Sequence, residues 1–250
     1  MVKNVTIISE RAPFIDNLIF CLEQDSFKVS VTNRVKKVMD SDSYVILNLL
    51  NWRENASNEI DVLLQNKVKK VILLEDAGQL YLNSHNKLPY SVYSNIVPKN
   101  KICQDIIDLE NKVIDSDIPY VIFRISEIYG PTVNFGMIYD LIRGRIKILS
   151  HSQRDFVYEG DVIYAIEIAL KNGVTGIFDI ANGTATQLTD LIDIINEIKK
   201  KNINVGFRSR SRDLIYNPDN FKFYKWIPLV SIRTGLQVTL TVANNQNFRK

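Results

Sequence analysis

The stretch that most restricts the fold runs from Val5 to Leu22. Val5-Thr6-Ile7-Ile8 is a short β-branched run and reads as a buried strand. Ser9 to Ala12 form a turn, and Pro13 suits the first position of a helix, where its missing N–H is not needed. Phe14, Ile15, Leu18, Ile19 and Leu22 then recur at helical spacing. Such a strand–turn–helix opens a doubly wound α/β unit, in which glycines normally let a pyrophosphate lie against the helix N-terminus. The length and apolar frame are right, yet the turn holds no glycine; Glu10, Pro13 and Asp16 occupy the glycine positions. Side chains there deny close approach, and Pro13 has no N–H to give. Glu10 and Asp16 would put carboxylates beside a diphosphate, where like charges repel. An acid in the first helical turn also answers the helix dipole from within. The expectation is a retained frame with its cofactor chemistry removed.

Composition sets outer bounds. A chain of 250 residues with 46% hydrophobic content can bury a substantial core, as one large α/β domain or one domain with a small cap. A net charge of +3 is too slight to argue for nucleic acid. Cys21 and Cys103 fall on expected helices as buried thiols, which indicates neither a disulfide framework nor a metal site. His85 and His151 are far apart with no cysteine near either, so zinc is not expected. Ser9, Glu10 and Arg11 interrupt any N-terminal signal core, and no apolar run is long enough to span a bilayer. The expected setting is cytoplasmic, without membrane or nucleic acid.

Further along, Phe27–Asn33 alternates like a strand, Tyr44–Leu50 is apolar throughout like a central parallel strand, and Lys70–Leu74 repeats that pattern. Asn55–Asn66 and Lys101–Ile114 carry helical stripes. Glu75–Pro98 lacks periodicity and reads as a long loop, of the kind that is often functional. Tyr120–Ile125 is a fifth strand, and Ser126–Asn134 leaves it as a loop. Helices are expected near Phe135–Arg143, Gly160–Leu170 and Leu188–Lys200, with short strands at Ile146–Leu149 and Gly176–Ile180. Strands alternating with helices predict a Rossmann-like, doubly wound parallel sheet with a small C-terminal α+β subdomain. The division is 1–130 for the Rossmann-like part and 131–250 for mostly the subdomain, with elements returning to the main sheet.

Four segments of the second half carry a family resemblance. Phe123-Arg124-Ile125-Ser126-Glu127-Ile128-Tyr129-Gly130-Pro131 resembles the R-x-x-N-x-Y-G-P segment of the extended short-chain dehydrogenases, the NAD-dependent nucleotide-sugar epimerases and dehydratases. Arg154–Val162 is similar to their RDFVYVDDV segment, and Gly176–Gly183 to GVYNIGSG. Trp226-Ile227-Pro228 and Ser231–Leu236 resemble the family's closing W-x-P and SLEEGL elements.

The resemblance implies an NAD-dependent enzyme with a Tyr-x-x-x-Lys pair and a Ser or Thr, the tyrosine serving as general acid/base. Here Lys101 matches the lysine, whereas Val97 stands at the tyrosine position and Ala77 at the hydroxyl position. Lys101 is thus the only retained catalytic position. Tyr90, Tyr93 and the adjacent carboxylates Glu75 and Asp76 are the neighbours that a shifted loop would recruit. Glu75 and Asp76 are otherwise expected as a solvated or helix-capping pair.

On the substrate side the resemblance implies that Arg154, and Arg210 in the Arg208–Asp213 loop, grip a sugar-nucleotide diphosphate, for which a guanidinium fork is the right chemistry. The alternative for Arg154 is an ion pair with Asp155 or Asp161. Glu127 replaces the family's asparagine at the substrate. The basic stretch Lys199–Lys225 reads as a solvated helix end followed by a polar loop. Taken together, the resemblance and its departures imply a non-redox pseudoenzyme that binds a sugar nucleotide or a partner protein in surface-polysaccharide or sugar-nucleotide metabolism. No cofactor is expected, or NAD(P) only in an unusual mode, and no metal. Two alternatives remain open: an active epimerase, isomerase or lyase with reassigned residues, and a purely structural protein. The family also suggests a homodimer, paired through the helices at 54–66 and 97–114, or a partner enzyme.

Overall fold

The computed structural model describes residues 3–35, 41–50, 56–81 and 87–247; His85 and Asn55 lie outside them. Strand β1 (Lys3–Ile8) leads into α1 (Pro13–Gln24), then β2 (Phe27–Thr32), β3 (Tyr44–Asn48), α2 (Ala56–Gln65) and β4 (Lys70–Asp76). A short α3 (Ala77–Tyr81) follows at once, then α4 (Lys101–Ile114), β5 (Tyr120–Ile125) and β6 (Glu127–Tyr129). The second half continues as α5 (Gly136–Ile142), β7 (Ile148–Ser150), β8 (Gln153–Tyr158), α6 (Glu159–Lys171), β9 (Gly176–Ile180), β10 (Ala185–Gln187) and α7 (Leu188–Lys199). It closes with β11 (Gly206–Arg208), α8 (Asp219–Lys222) and α9 (Ile232–Asn247).

Among the described residues the main sheet is parallel, in the order β2-β1-β3-β4-β5-β9. Its register aligns apolar rows across the strands: Val31, Ile7, Ile46, Ile72 and Val121 form one, and Leu74, Phe123 and Phe178 belong to another. Both faces are covered, which is why β3, β4 and β5 read as near-continuous apolar runs rather than alternating ones. Helix α1 begins as its sequence demands, with Pro13 at its first turn and Phe14, Ile15, Leu18 and Leu22 buried. Helix α4 is started by the Asn100 side chain, which accepts the Cys103 N–H at 2.8 Å, a cap worth about 1 kcal/mol. Cys21 and Cys103 are free thiols on α1 and α4.

A smaller sheet, β10-β8-β6, and the pair β11-β7 stand beside the main one. They share an apolar core with α5, α7 and α9, built on Tyr129, Phe156, Leu191, Ile195 and Leu236. The second half also returns to the main sheet, since β9 pairs with β5. Three sequence expectations change. Residues 126–134 hold β6, because Glu127–Tyr129 pairs in parallel with β8. The 75–98 stretch holds α3. The basic stretch contains β11 and α8, so it is more than a solvated helix end. Among the described residues no helix is long and apolar enough to cross a membrane.

Candidate functional site

The carboxyl ends of β4 and β5 open toward β6 and β8, and this edge gathers charged side chains. Asp76 ends β4; its Oδ1 accepts the Gly78 N–H at 2.8 Å and so starts α3. Glu127 lies just beyond β5, where parallel pairing with Phe156 fixes its backbone. Both residues are half-buried as a whole. Their depth in the fold nonetheless disfavours charge. Burial, reinforced by the neighbouring Asp76 charge, pushes Glu127 up to about 7 against the opposing pull of Arg154 and an N–H of Met137. Burial also raises Asp76.

Behind them stand three buried groups. Arg154 in β8 is bridged to Leu214, and its Nη1 donates to the carbonyls of Gln153 (3.1 Å) and Arg212 (2.5 Å). Asp155 points its carboxylate at the β9–β10 turn, where it accepts the N–H groups of Asn182 and Gly183, each at 2.8 Å. Burial pushes it to about 7 despite those donors. Tyr216 is 2% exposed, and its hydroxyl has no hydrogen-bond partner among the described residues. Burial first, then the charges of Asp76, Glu127 and Asp155, keep its phenol protonated, opposed by Arg154. An orphan hydroxyl in such surroundings is costly unless something meets it.

The expected ion pair of Arg154 with Asp155 or Asp161 is not formed among the described residues. Asp155 serves the turn just described, and Asp161 accepts the N–H groups of Leu229 and Val230. Arg210 is mostly exposed and pairs with Asp213 at 2.7 Å. Asp213 in turn accepts the Gln153 N–H at 2.8 Å, which brings the Arg210 loop against the strand that carries Arg154. Lys101 lies exposed in the first turn of α4. Tyr90 is stacked on Tyr81, with ring centroids 5.3 Å apart, in a buried cluster with Tyr216, and Tyr93 is out in solvent.

Glu75 corrects the expectation of a solvated pair: it is fully buried, and its carboxyl oxygens have no hydrogen-bond partner among the described residues. Burial and the neighbouring Glu110 carboxylate raise it well above the usual carboxylate range, opposed by Arg124. Asp76 fulfils the capping half of that expectation. Glu75 belongs to a second network, in which Arg124 binds Glu110 and donates to Tyr81, whose hydroxyl reaches Asp179. An arginine inside the apolar run of β5 was the available sequence signal for this network. Nothing comparable marked Tyr216, whose place depends on a bridge to Tyr90 across 126 positions.

The opening turn, residues 9–12, offers no glycine to a dinucleotide. Pro13 is the first residue of α1, and Arg11 makes an exposed 2.7 Å bridge to Asp16. At the switch point between β1 and β3, Asn48 donates to Ser9 Oγ at 3.1 Å. These residues do not fit the bare glycine cradle of a pyrophosphate. Pro13 does border a cavity of about 260 Å³, with Thr132, Asn134 and Arg143 on its wall.

No family model matches the sequence, and no curated protein matches it either. Solved structures do share its shape. UDP-glucose 4-epimerase of Thermotoga maritima, solved with UDP-glucose, is 16% identical; 98% of this chain covers 99% of that one with a TM-score of 0.78. The Bordetella bronchiseptica enzyme WbmG, in complex with NAD, is 14% identical over 98% of this chain and 95% of its own, at 0.81. UDP-N-acetylglucosamine 4-epimerase of Methanobrevibacter ruminantium, in complex with UDP-N-acetylmuramic acid, is 14% identical over 98% and 99%, at 0.79. The expectation of a chain without a cofactor is corrected by this likeness, because WbmG holds NAD in the same fold. Over nearly its whole length, this chain has the Rossmann-like fold of nucleotide-sugar epimerases.

Proposed function

We propose that this chain is a nucleotide-sugar epimerase/dehydratase family member that binds a sugar nucleotide without the family's tyrosine–serine proton relay. The observation that carries the reading is Arg154. Its side chain is buried on β8 and donates to two backbone carbonyls, and among the described residues it forms no ion pair within bridging distance, while the Glu127 and Asp213 carboxylates feel its charge. A fixed, desolvated cation of this kind suits a diphosphate. Ala77 and Val97, at the serine and tyrosine positions, have no proton to exchange. Binding or regulation in sugar-nucleotide metabolism is therefore the primary reading.

Glu127 favours a second one. A carboxyl group held near 7 beside Asp76 is poised for proton transfer at neutral pH, which suits an isomerase or lyase with reassigned residues. Calorimetric titration with UDP, dTDP, GDP and their sugars, and with NAD⁺, NADH and NADPH, tests both readings. Binding of a nucleoside diphosphate that Arg154→Ala weakens by about tenfold or more supports the site. Silence from every nucleotide, or binding indifferent to Arg154→Ala, overturns it. Turnover of a bound sugar that Glu127→Gln abolishes selects the second reading.

A further inference from the structure

A second cavity of about 260 Å³ opens where the last turns of α5 and α7 meet the start of β7. Arg143, Lys147, Lys199 and Lys201 line it, Ile142 and Ile203 add apolar surface, and among the described residues no acid does so. Backbone bonds fix the segments that present these cations. The Gly144 N–H donates to the Leu141 carbonyl at 3.0 Å, and the Lys147 carbonyl accepts the Gly206 N–H at 2.8 Å. The Asn196 side chain accepts the Ile203 N–H at 2.8 Å just beyond α7. Gly144, at φ +68, leaves the wall bare, since a Cβ there would lie 3.7 Å from Lys147 Nζ. The Arg143 guanidinium rests over the Tyr139 ring, 5.3 Å from its centroid.

Cations in a last helical turn answer the helix dipole, which accounts for part of this arrangement. Both helix ends, however, already have backbone donors on their final carbonyls, from Arg143 and Gly144 in α5 and from Lys200 and Lys201 in α7. Neighbouring carboxylates are engaged elsewhere: Asp140 with Arg145 at 3.2 Å, and Glu197 with Arg233 at 2.8 Å. Among the described residues Lys147, Lys199 and Lys201 have no ion pair, side-chain hydrogen bond or ring contact. Like charges gathered round one concavity repel, and a compact anion within it relieves that repulsion. We infer that this cavity binds the di- or triphosphate group of a small molecule. Ammonium groups meet phosphate oxygens as point charges, and Arg143 adds paired donors. A concave site of this size takes a short phosphate chain rather than the face of a polymer. The inference goes beyond the sugar-nucleotide reading and does not rest on it, since Arg154 does not line this cavity.

The test is calorimetric titration of the full chain with inorganic pyrophosphate, inorganic triphosphate and UTP, at low and at raised salt. Triphosphate is expected to bind about tenfold tighter than pyrophosphate, and both to weaken by about tenfold at the higher salt. Lys199→Gln combined with Lys201→Gln should weaken triphosphate by about tenfold or more, and Lys147→Gln by about threefold or more, whereas Arg154→Ala should leave it within about twofold. Far-ultraviolet circular dichroism and thermal unfolding verify that each variant is folded. UTP that binds as triphosphate does shows that the bare phosphate chain is recognised; UTP that binds tighter makes a nucleotide its source. Silence from both inorganic anions overturns the inference, also where a DNA duplex binds in their stead. Triphosphate binding that survives the lysine substitutions but is lost in Arg154→Ala overturns it too, while leaving the sugar-nucleotide reading in place.

Discussion

Arg124 grips Glu110 with two parallel hydrogen bonds, Nε to Oε1 at 2.7 Å and Nη2 to Oε2 at 2.6 Å, both side chains being about 5% exposed. The pair ties β5 to α4, and the Arg124 charge also acts on Glu75 and Asp179. Arg124→Met removes that cation and leaves a desolvated carboxylate behind. The expected cost is about 3–5 kcal/mol, read as a lowered midpoint in urea unfolding. A loss below about 1 kcal/mol would show that the network relaxes around the gap.

Asp155 and Asp179 are both pushed up to about 7, chiefly by burial. A carboxyl group whose folded pKa lies above its unfolded value favours the folded state most when both forms are protonated. That contribution is fully present below about 4 and is lost as pH rises through about 7. The unfolding temperature should therefore rise as pH falls from 8 to 5. Asp179→Asn should flatten the trend, because the amide keeps the shape without the titration. A stability curve that instead falls on acidification through this range refutes the assignment.

Gly235 lies against the ring of Tyr129. A Cβ added there would sit 2.3 Å from the Tyr129 hydroxyl and 2.7 Å from Cε2. Gly235→Ala should thus push α9 away from β6 and cost about 1–3 kcal/mol by overpacking. Tyr129→Phe in the same background should recover part of the loss, since it removes the nearest atom. Chemical denaturation of the single and double variants measures both effects.

Trp226 is fully buried and its indole N–H donates to the Asp161 carbonyl at 2.9 Å. The Asp161 carboxylate holds the following segment through the N–H groups of Leu229 and Val230. Trp226→Ala should cost about 3–5 kcal/mol. Asp161→Asn should cost less, because the amide oxygen still accepts one of the two bonds. Equal losses in the two variants would contradict this division of roles.

Replacing Glu10, Pro13 and Asp16 together by glycine restores room and an N–H at the opening turn. NAD⁺ affinity should then increase by about tenfold or more over the unaltered chain. Isothermal titration of both proteins decides it, and unchanged affinity would mean that the turn does not limit dinucleotide binding.

Local periodicity carried the strand–helix alternation, because burial on both faces of a parallel sheet leaves unbroken apolar runs such as Val71–Leu74, and an amphipathic helix leaves a stripe such as Ile102, Ile106, Leu109 and Val113. Proline at the start of α1 and asparagine before α4 set those ends through backbone chemistry that needs no distant partner. The arginine at 154 and the acid at 127 were legible by their positions in recognisable segments. Three things were decided only in three dimensions. β6 is too short to show a period, and it exists because β8 offers it a register. Glu75 and Asp76 are neighbours in sequence, yet strand alternation buries one and turns the other to start a helix. The buried Tyr216 comes under the charges of Asp76, Glu127 and Arg154 only because a bridge to Tyr90 and a bridge from Leu214 to Arg154 bring three separate segments together. Side-chain chemistry names the candidates, but their charge state and their company follow from burial and long-range pairing, which no local window of sequence contains.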